Sequence, residues 1–292
     1  LQRQEIVLGQ ALTEPSQDFY NLFVKRIALV LSSGGPRGAA HVGALKVLEE
    51  QRVPISLVVG SSIGAMIGGV YAAGVSVAHI EQEWLKIDFW RIARSLQPTL
   101  PIHGWSSGAA IERFLKELLG GDRRIEELPI PFVAVATDID RGERVLLQEG
   151  SLIEAIRASF SIPGLFVPVE RDGRHLADGG LVSPLPVDVA RQLGAEAVIA
   201  VDINLGSKRY RVAHLPKGAP GLFEALDLAV SIFVWRLTEL TLALSPPDVL
   251  ITPDMPDDSL VGNFSYHRAE ERIALGEAAA RAKLQEISKL LP

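Results

Sequence analysis

The apolar residues of this chain fall into two periods, and segments of the two kinds alternate. Short unbroken runs at 27–31, 57–59, 130–136 and 197–201 carry β-branched residues and end at Gly, Ser, Thr or Asp. They predict buried strands. Between them, apolar positions recur every three or four residues. Val42, Leu45 and Leu48 mark a helix over 39–51, and Ile80, Trp84 and Ile87 mark one over 77–90. Ser106 or Ser107 caps a helix over 108–119, which stops at Gly120-Gly121. Ser151 caps another that runs through Phe160, and Pro184 opens one that reaches Leu193.

Residues 143–148 read as the returning strand of a hairpin. Residues 165–169 and 174–177 read as short strands around an Asp172-Gly173 turn. A long helix over 222–244 has one stripe at Leu222, Leu226, Val230, Phe233, Leu237, Leu240 and Leu244, and a second apolar face at Ala225, Leu228, Ile232 and Trp235. Burial on both sides is the default reading, and contact with acyl chains or a bilayer the alternative. A last strand over 249–252 precedes a terminal helix over 266–291, striped at Ala269, Ile273, Gly276, Ala280, Leu284, Ile287 and Leu291. This alternation predicts an α/β fold, a three-layer sandwich with a mainly parallel central sheet. No shift of composition divides the chain, so one domain is expected over 26–292, with 1–25 as a peripheral arm. Residues 91–104, with Pro98 and Pro101, read as a connecting loop or the rim of a pocket.

Composition narrows the chemistry. The 292 residues are 48% hydrophobic and 22% charged, with a net charge of −6. That charge argues against nucleic acid as a partner and offers no global attraction to anionic membranes. The absence of cysteine excludes disulfides, thiolate nucleophiles and Cys-ligated metals. The uncharged run 57–78 has the length of a membrane span, yet its many Gly, Ser and Ala residues make it only mildly hydrophobic. No signal sequence is read at the start, and a cytoplasmic protein is expected.

Two glycine-rich turns carry candidate chemistry. Gly60-Ser61-Ser62-Ile63-Gly64 joins a strand to a helix in the pattern G-x-S-x-G. A serine there sits on a tight turn with its hydroxyl pushed outward, and Gly60 and Gly64 let strand and helix approach. One strand earlier, Ser32-Ser33-Gly34-Gly35-Pro36-Arg37-Gly38 also links strand to helix. Such a loop binds anions: either a nucleotide phosphate, or the oxyanion of a tetrahedral intermediate. The P-loop pattern fails because no Lys-Ser/Thr follows the last Gly, and the dinucleotide pattern fails at Ser33. An oxyanion hole fits better beside Ser62. Asp138 and Asp140 suggest a cation site, but Arg141 and Gly142 favour a polar turn. Asp178-Gly179-Gly180 ends a strand and, alone, reads as a turn.

Taken together, three stretches resemble the patatin-like phospholipases, in particular small bacterial members related to the catalytic domain of neuropathy target esterase. Residues 34–43 look like the oxyanion loop, 60–64 like the nucleophile elbow, and Asp178-Gly179-Gly180 like the D-G-G/A motif, preceded by a family-like stretch over 158–164. The resemblance implies a Ser–Asp dyad. Ser62 would attack an ester carbonyl and Asp178 would take its proton. Backbone N–H groups near Gly34 and Gly35 would hold the oxyanion, with Arg37 and Gly38 supporting the loop. Phospholipids, lysophospholipids or other fatty-acyl esters would be substrates, with peripheral membrane contact and neither metal nor organic cofactor.

One residue departs from that pattern. Ser33 stands where the family carries another glycine, and a serine held at positive φ would strain the loop. Pro36 also removes an N–H from it. Two rivals follow. One is a lipid-binding or regulatory protein that keeps the fold without the activity. The other is a Ser–acid–His hydrolase using His267 with Asp178 or Asp202.

Overall fold

The computed structural model describes residues 25–86, 106–205, 221–255 and 268–291. The expected arm over 1–25 except its last residue, the loop over 91–104, the end of the helix over 77–90, and His267 lie outside them. Five parallel strands form the body of one sheet, in the order β3 (Phe132–Asp138), β2 (Ile55–Ser61), β1 (Ile27–Leu31), β7 (Ala197–Val201) and β8 (Val249–Ile251). Three antiparallel strands complete it: β4 (Glu143–Leu147) and β6 (Arg174–Asp178) on β3, and β5 (Val169–Arg171) on β6. Every residue of β1, β3 and β7 is buried, which is why these strands read as unbroken apolar runs.

Each face of the sheet is covered by helices. Ile27, Leu29 and Leu31 point into a large core with α1 (Ala39–Glu50), α2 (Ile63–Ala72), α3 (Val77–Leu85), α4 (Ala109–Leu119) and α5 (Leu152–Ser159). Ala28, Val30, Val59 and Val133 point into a smaller one with α6 (Val187–Gln192) and Leu242 of α7 (Leu222–Leu244). After β8, α8 (Ala269–Arg281) and α9 (Leu284–Ser288) return to the larger core. This is the expected three-layer sandwich.

Several boundaries differ from the sequence reading. Strand β5 begins only at Val169, because Pro168 cannot donate to a ladder. Helix α6 begins at Val187 rather than Pro184, since Pro186 keeps Leu185 out of the helical region. The expected terminal helix is two helices, broken at Ala282-Lys283, and the break lets Ile287 return to the core. The larger correction concerns α7. Its stripe of Phe233, Leu240 and Leu244 is exposed, as is Ile232, while Ser231, Val234 and Thr238 face inward. Small side chains allow close packing there. Thr238 satisfies its hydroxyl within the helix by donating to the Val234 carbonyl at 2.8 Å, so a polar residue faces inward at little cost.

Candidate active site

The sheet brings the candidate nucleophile and base together by a simple device. Strand β2 runs along one edge of β3 and ends with Ser61 opposite Val135. Strand β6 takes over the same edge from the opposite direction and ends with Asp178 opposite Ala136, while β4 lines the other edge. The two strands therefore meet end to end, one ladder position apart, and the turns that follow them face each other.

At the end of β2, Ser62 adopts φ 55° and ψ −122°, one of three non-glycine residues with positive φ among those described. The turn is tight enough to exclude side chains at its flanks. A Cβ on Gly60 would lie 2.5 Å from the Ala65 backbone, and one on Gly64 2.3 Å from the Leu31 carbonyl oxygen. Such strain persists only where surrounding contacts hold it, and it clusters at functional sites. Ser159 holds this one: the Ser62 N–H donates to its Oγ at 2.9 Å, and that hydroxyl donates to the Val135 carbonyl at 2.6 Å.

Ser62 Oγ donates to Asp178 Oδ2 at 2.5 Å. The other carboxylate oxygen accepts the Gly180 N–H at 2.7 Å. Backbone contacts fix the aspartate from behind, since its N–H donates to the Ser161 carbonyl and its own carbonyl accepts from Thr137 Oγ1 at 2.7 Å. Burial pushes the Asp178 carboxyl up to about 6, against the two hydrogen bonds that favour its charged form. A base that titrates there is ionised at neutral pH yet holds a proton more readily than a solvated carboxylate.

The loop over 32–38 lies beside this pair. A Cβ on Gly38 would lie 2.2 Å from Ile63 Cγ1, so loop and elbow touch directly. Gly34 and Gly35 have φ of 153° and 54°, which favour glycine, and their N–H groups donate to no group among the described residues. Arg37 is buried, with Nη1 donating to the Ile203 carbonyl at 3.3 Å. Its charge faces Asp202, whose carboxyl is raised by burial and lowered by the N–H groups of Asn204 and Leu205 and by Arg37. Pro36 sits at the start of a single 3-10 turn over Gly35–Gly38.

Ser33 does not have positive φ, so the strain expected of it is absent. Its N–H donates to the Pro184 carbonyl at 2.8 Å, and its carbonyl accepts Asn204 Nδ2 at 2.8 Å. His41 lies wholly buried, its pKa pushed down to about 4 by that burial, and pairs through Nε2 with the Ser32 carbonyl at 2.9 Å. The neutral ring therefore donates there and buttresses the loop rather than exchanging protons with Ser62. Of the two acids considered beside Ser62, Asp178 meets it and Asp202 serves the loop. Asp138 closes a turn by accepting the N–H groups of Asp140 and Arg141, and Asp140 pairs with His175 at 2.9 Å.

Sequence reasoning gave no role to Ser159, Asn204 or Arg272, although Ser159 lies within the family-like stretch over 158–164. Arg272, fully buried on α8, donates to the Pro36 carbonyl at 2.8 Å. Its signal was present but faint, since a cation stood four positions before Gly276, in line with the apolar stripe.

A family model described as patatin-like phospholipase matches residues 29–191. An uncharacterized NTE family protein of Mycobacterium tuberculosis is 44% identical over 182 residues, which is 61% of this chain and 49% of that protein. Patatin-like phospholipase domain-containing protein 6 of Homo sapiens is 40% identical over 183 residues, 61% of this chain and 13% of that protein. The matched part is thus about half of the mycobacterial relative and a small part of the human one. Among solved structures, the heterodimeric ExoU-SpcU complex from the type III secretion system of Pseudomonas aeruginosa superposes with a TM-score of 0.51 at 17% identity, covering 92% of this chain and 52% of that one. That likeness concerns the fold alone.

Proposed function

The chain belongs to the patatin-like phospholipase family, and we propose that it is a serine acyl-hydrolase of lipid esters built on Ser62 and Asp178. The observation that carries this reading is the 2.5 Å hydrogen bond from Ser62 Oγ to Asp178, beside the Gly34 and Gly35 N–H groups, which donate to no group among the described residues. In the first step Ser62 Oγ attacks the acyl carbonyl and its proton passes to Asp178 Oδ2. The N–H groups of Gly34 and Gly35 receive the oxyanion. Collapse expels the alcohol, which takes the proton from Asp178 and leaves Ser62 acylated. Asp178 then deprotonates water, which attacks the acyl-enzyme, and the proton returns to Ser62 as the fatty acid departs.

Phospholipids, lysophospholipids or other fatty-acyl esters are the proposed substrates, and 26–292 the hydrolase domain preceded by an arm. Among the described residues no helix is long and apolar enough to cross a membrane. Surface contact is the proposed route to lipid. It is supported by α7, which packs against the turn Gly179–Leu181 after Asp178 and exposes Phe233 and Leu244 at 66% and 76%. The lipid-binding reading without activity rested on strain at Ser33, and the unstrained geometry there removes its motive.

Mass spectrometry after fluorophosphonate treatment tests the proposal. An adduct on Ser62 that forms much more slowly in Asp178→Asn supports nucleophile and base together. A folded wild type that gains no adduct and hydrolyses no fatty-acyl ester would refute the reading. Turnover lost in His267→Ala while Asp178→Asn stays active would replace it with the histidine mechanism.

A further inference from the structure

Arg272 reaches the oxyanion loop from the far end of the chain. Its guanidinium is buried, and Nη1 donates to the carbonyl of Pro36, 236 positions away, at 2.8 Å. The bond is charge-assisted, about twice the strength of a neutral one. It fixes the peptide between Pro36 and Arg37, whose N–H closes the 3-10 turn onto the Gly34 carbonyl at 3.3 Å. The glycines offered to the oxyanion stand at the head of that turn.

The helix carrying Arg272 cannot drift relative to the loop. Helix α1, which begins at the end of the turn, crosses α8 at two glycines. A Cβ on Gly43 would lie 2.0 Å from the Ile273 carbonyl oxygen, and one on Gly276 would lie 2.0 Å from that of Ala40. The backbones are therefore in direct contact. Beside the crossing, Lys46 pairs with Glu277 at 2.5 Å and with Glu81 at 2.9 Å, joining α1, α8 and α3. A closed circuit results: Pro36 leads through Gly38 into α1, α1 is seated on α8, and α8 returns Arg272 to Pro36.

We infer that Arg272 is a positioning residue of the oxyanion loop, so that the C-terminal helix sets the aim of the Gly34 and Gly35 N–H groups. Such aim matters to rate far more than to binding, because the donors act on charge that exists only in the transition state. The inference rests on the acyl-hydrolase reading of Ser62 and Asp178.

Wild type, Arg272→Lys and Arg272→Met are compared in hydrolysis of a p-nitrophenyl fatty-acyl ester, with thermal unfolding followed in parallel. A boronic acid, which becomes a tetrahedral anion on the serine, supplies a second readout. In Arg272→Lys the charge survives but the reach shortens. Its kcat is expected to fall roughly tenfold or more, with KM within about threefold and the acid limb of the pH profile unmoved. Boronate affinity is expected to fall alongside kcat. Arg272→Met falls further if it folds; if it does not, Arg272→Lys carries the test. A folded Arg272→Lys that keeps kcat and boronate affinity within twofold overturns the inference, as does a loss confined to KM. A wild type that takes no fluorophosphonate and turns over no ester removes the acyl-hydrolase reading and this inference with it, which separates the two failures.

Discussion

The backbone N–H of Ser62 donates to the hydroxyl of Ser159, 97 positions away. The amide of the candidate nucleophile is thereby committed to holding its own strained turn, which is consistent with the proposal that the loop at Gly34 and Gly35 would receive an oxyanion.

Replacing Ser159 by alanine strands that buried N–H and also frees the Val135 carbonyl. An unsatisfied buried polar group costs about 1–3 kcal/mol. Ser159→Ala is expected to lose that much unfolding free energy, seen as a lower urea midpoint, and to lose roughly tenfold in kcat as the elbow relaxes. Unfolding curves and steady-state rates on one preparation check both, and an unchanged urea midpoint would contradict the account.

The Asp178 carboxyl titrates at about 6 in the fold, against 3.8 for an ordinary aspartate. Only the ionised form accepts the Ser62 proton, so kcat/KM should fall as pH drops through about 6. Stability runs the other way. The folded state binds this proton more tightly than the unfolded state, so its contribution is complete below pH 3.8 and is lost as pH rises through 6. Asp178→Asn should be inactive yet more stable than wild type at pH 8, by about 1–3 kcal/mol, with the gap closing near pH 4. Melting temperatures across that range decide it; a mutant no more stable at pH 8 would count against a buried, ionised Asp178.

Ser33→Gly is expected to leave kcat within twofold of wild type. Glycine there relieves no strain, because Ser33 lies outside the positive-φ region. It adds backbone freedom to the unfolded chain and should cost about 0.5–1 kcal/mol. A variant that becomes both faster and more stable would restore the strain that the sequence suggested.

Changing Phe233, Leu240 and Leu244 to glutamine touches exposed positions on one side of α7. Stability should move by about 0.5 kcal/mol or less per site, as at other open surface positions. Cosedimentation with phosphatidylcholine vesicles should fall, and activity on vesicles should fall more than activity on a short-chain soluble ester. Equal loss on both substrates would place the lipid contact elsewhere.

The strands, the two glycine-rich turns and the Asp178 motif were legible because each is written in adjacent residues. A strand buried on both faces must be apolar throughout, and a tight turn must carry glycine. Ser159, Asn204 and Arg272 were not legible as partners of the site. Their contacts join positions 97, 171 and 236 apart, and one polar residue in an ordinary segment bears no local mark of what it will meet. Helix α7 misled for a related reason. Hydropathy assigned its stripe to the interior, but Thr238 hides its polarity in its own backbone, so the side with fewer apolar atoms packs inward.

The contact of Arg272 with Pro36 also bears on how the protein is made. Chains leave the ribosome at about 5–20 residues per second, so the 236 positions between these residues take roughly ten to fifty seconds to synthesise. Elbow, loop and Asp178 all emerge before α8 exists to close the circuit. A nascent chain therefore carries its candidate nucleophile and base well before it carries the helix proposed to aim the loop at Gly34 and Gly35, and that proposed circuit closes only once α8 has been made.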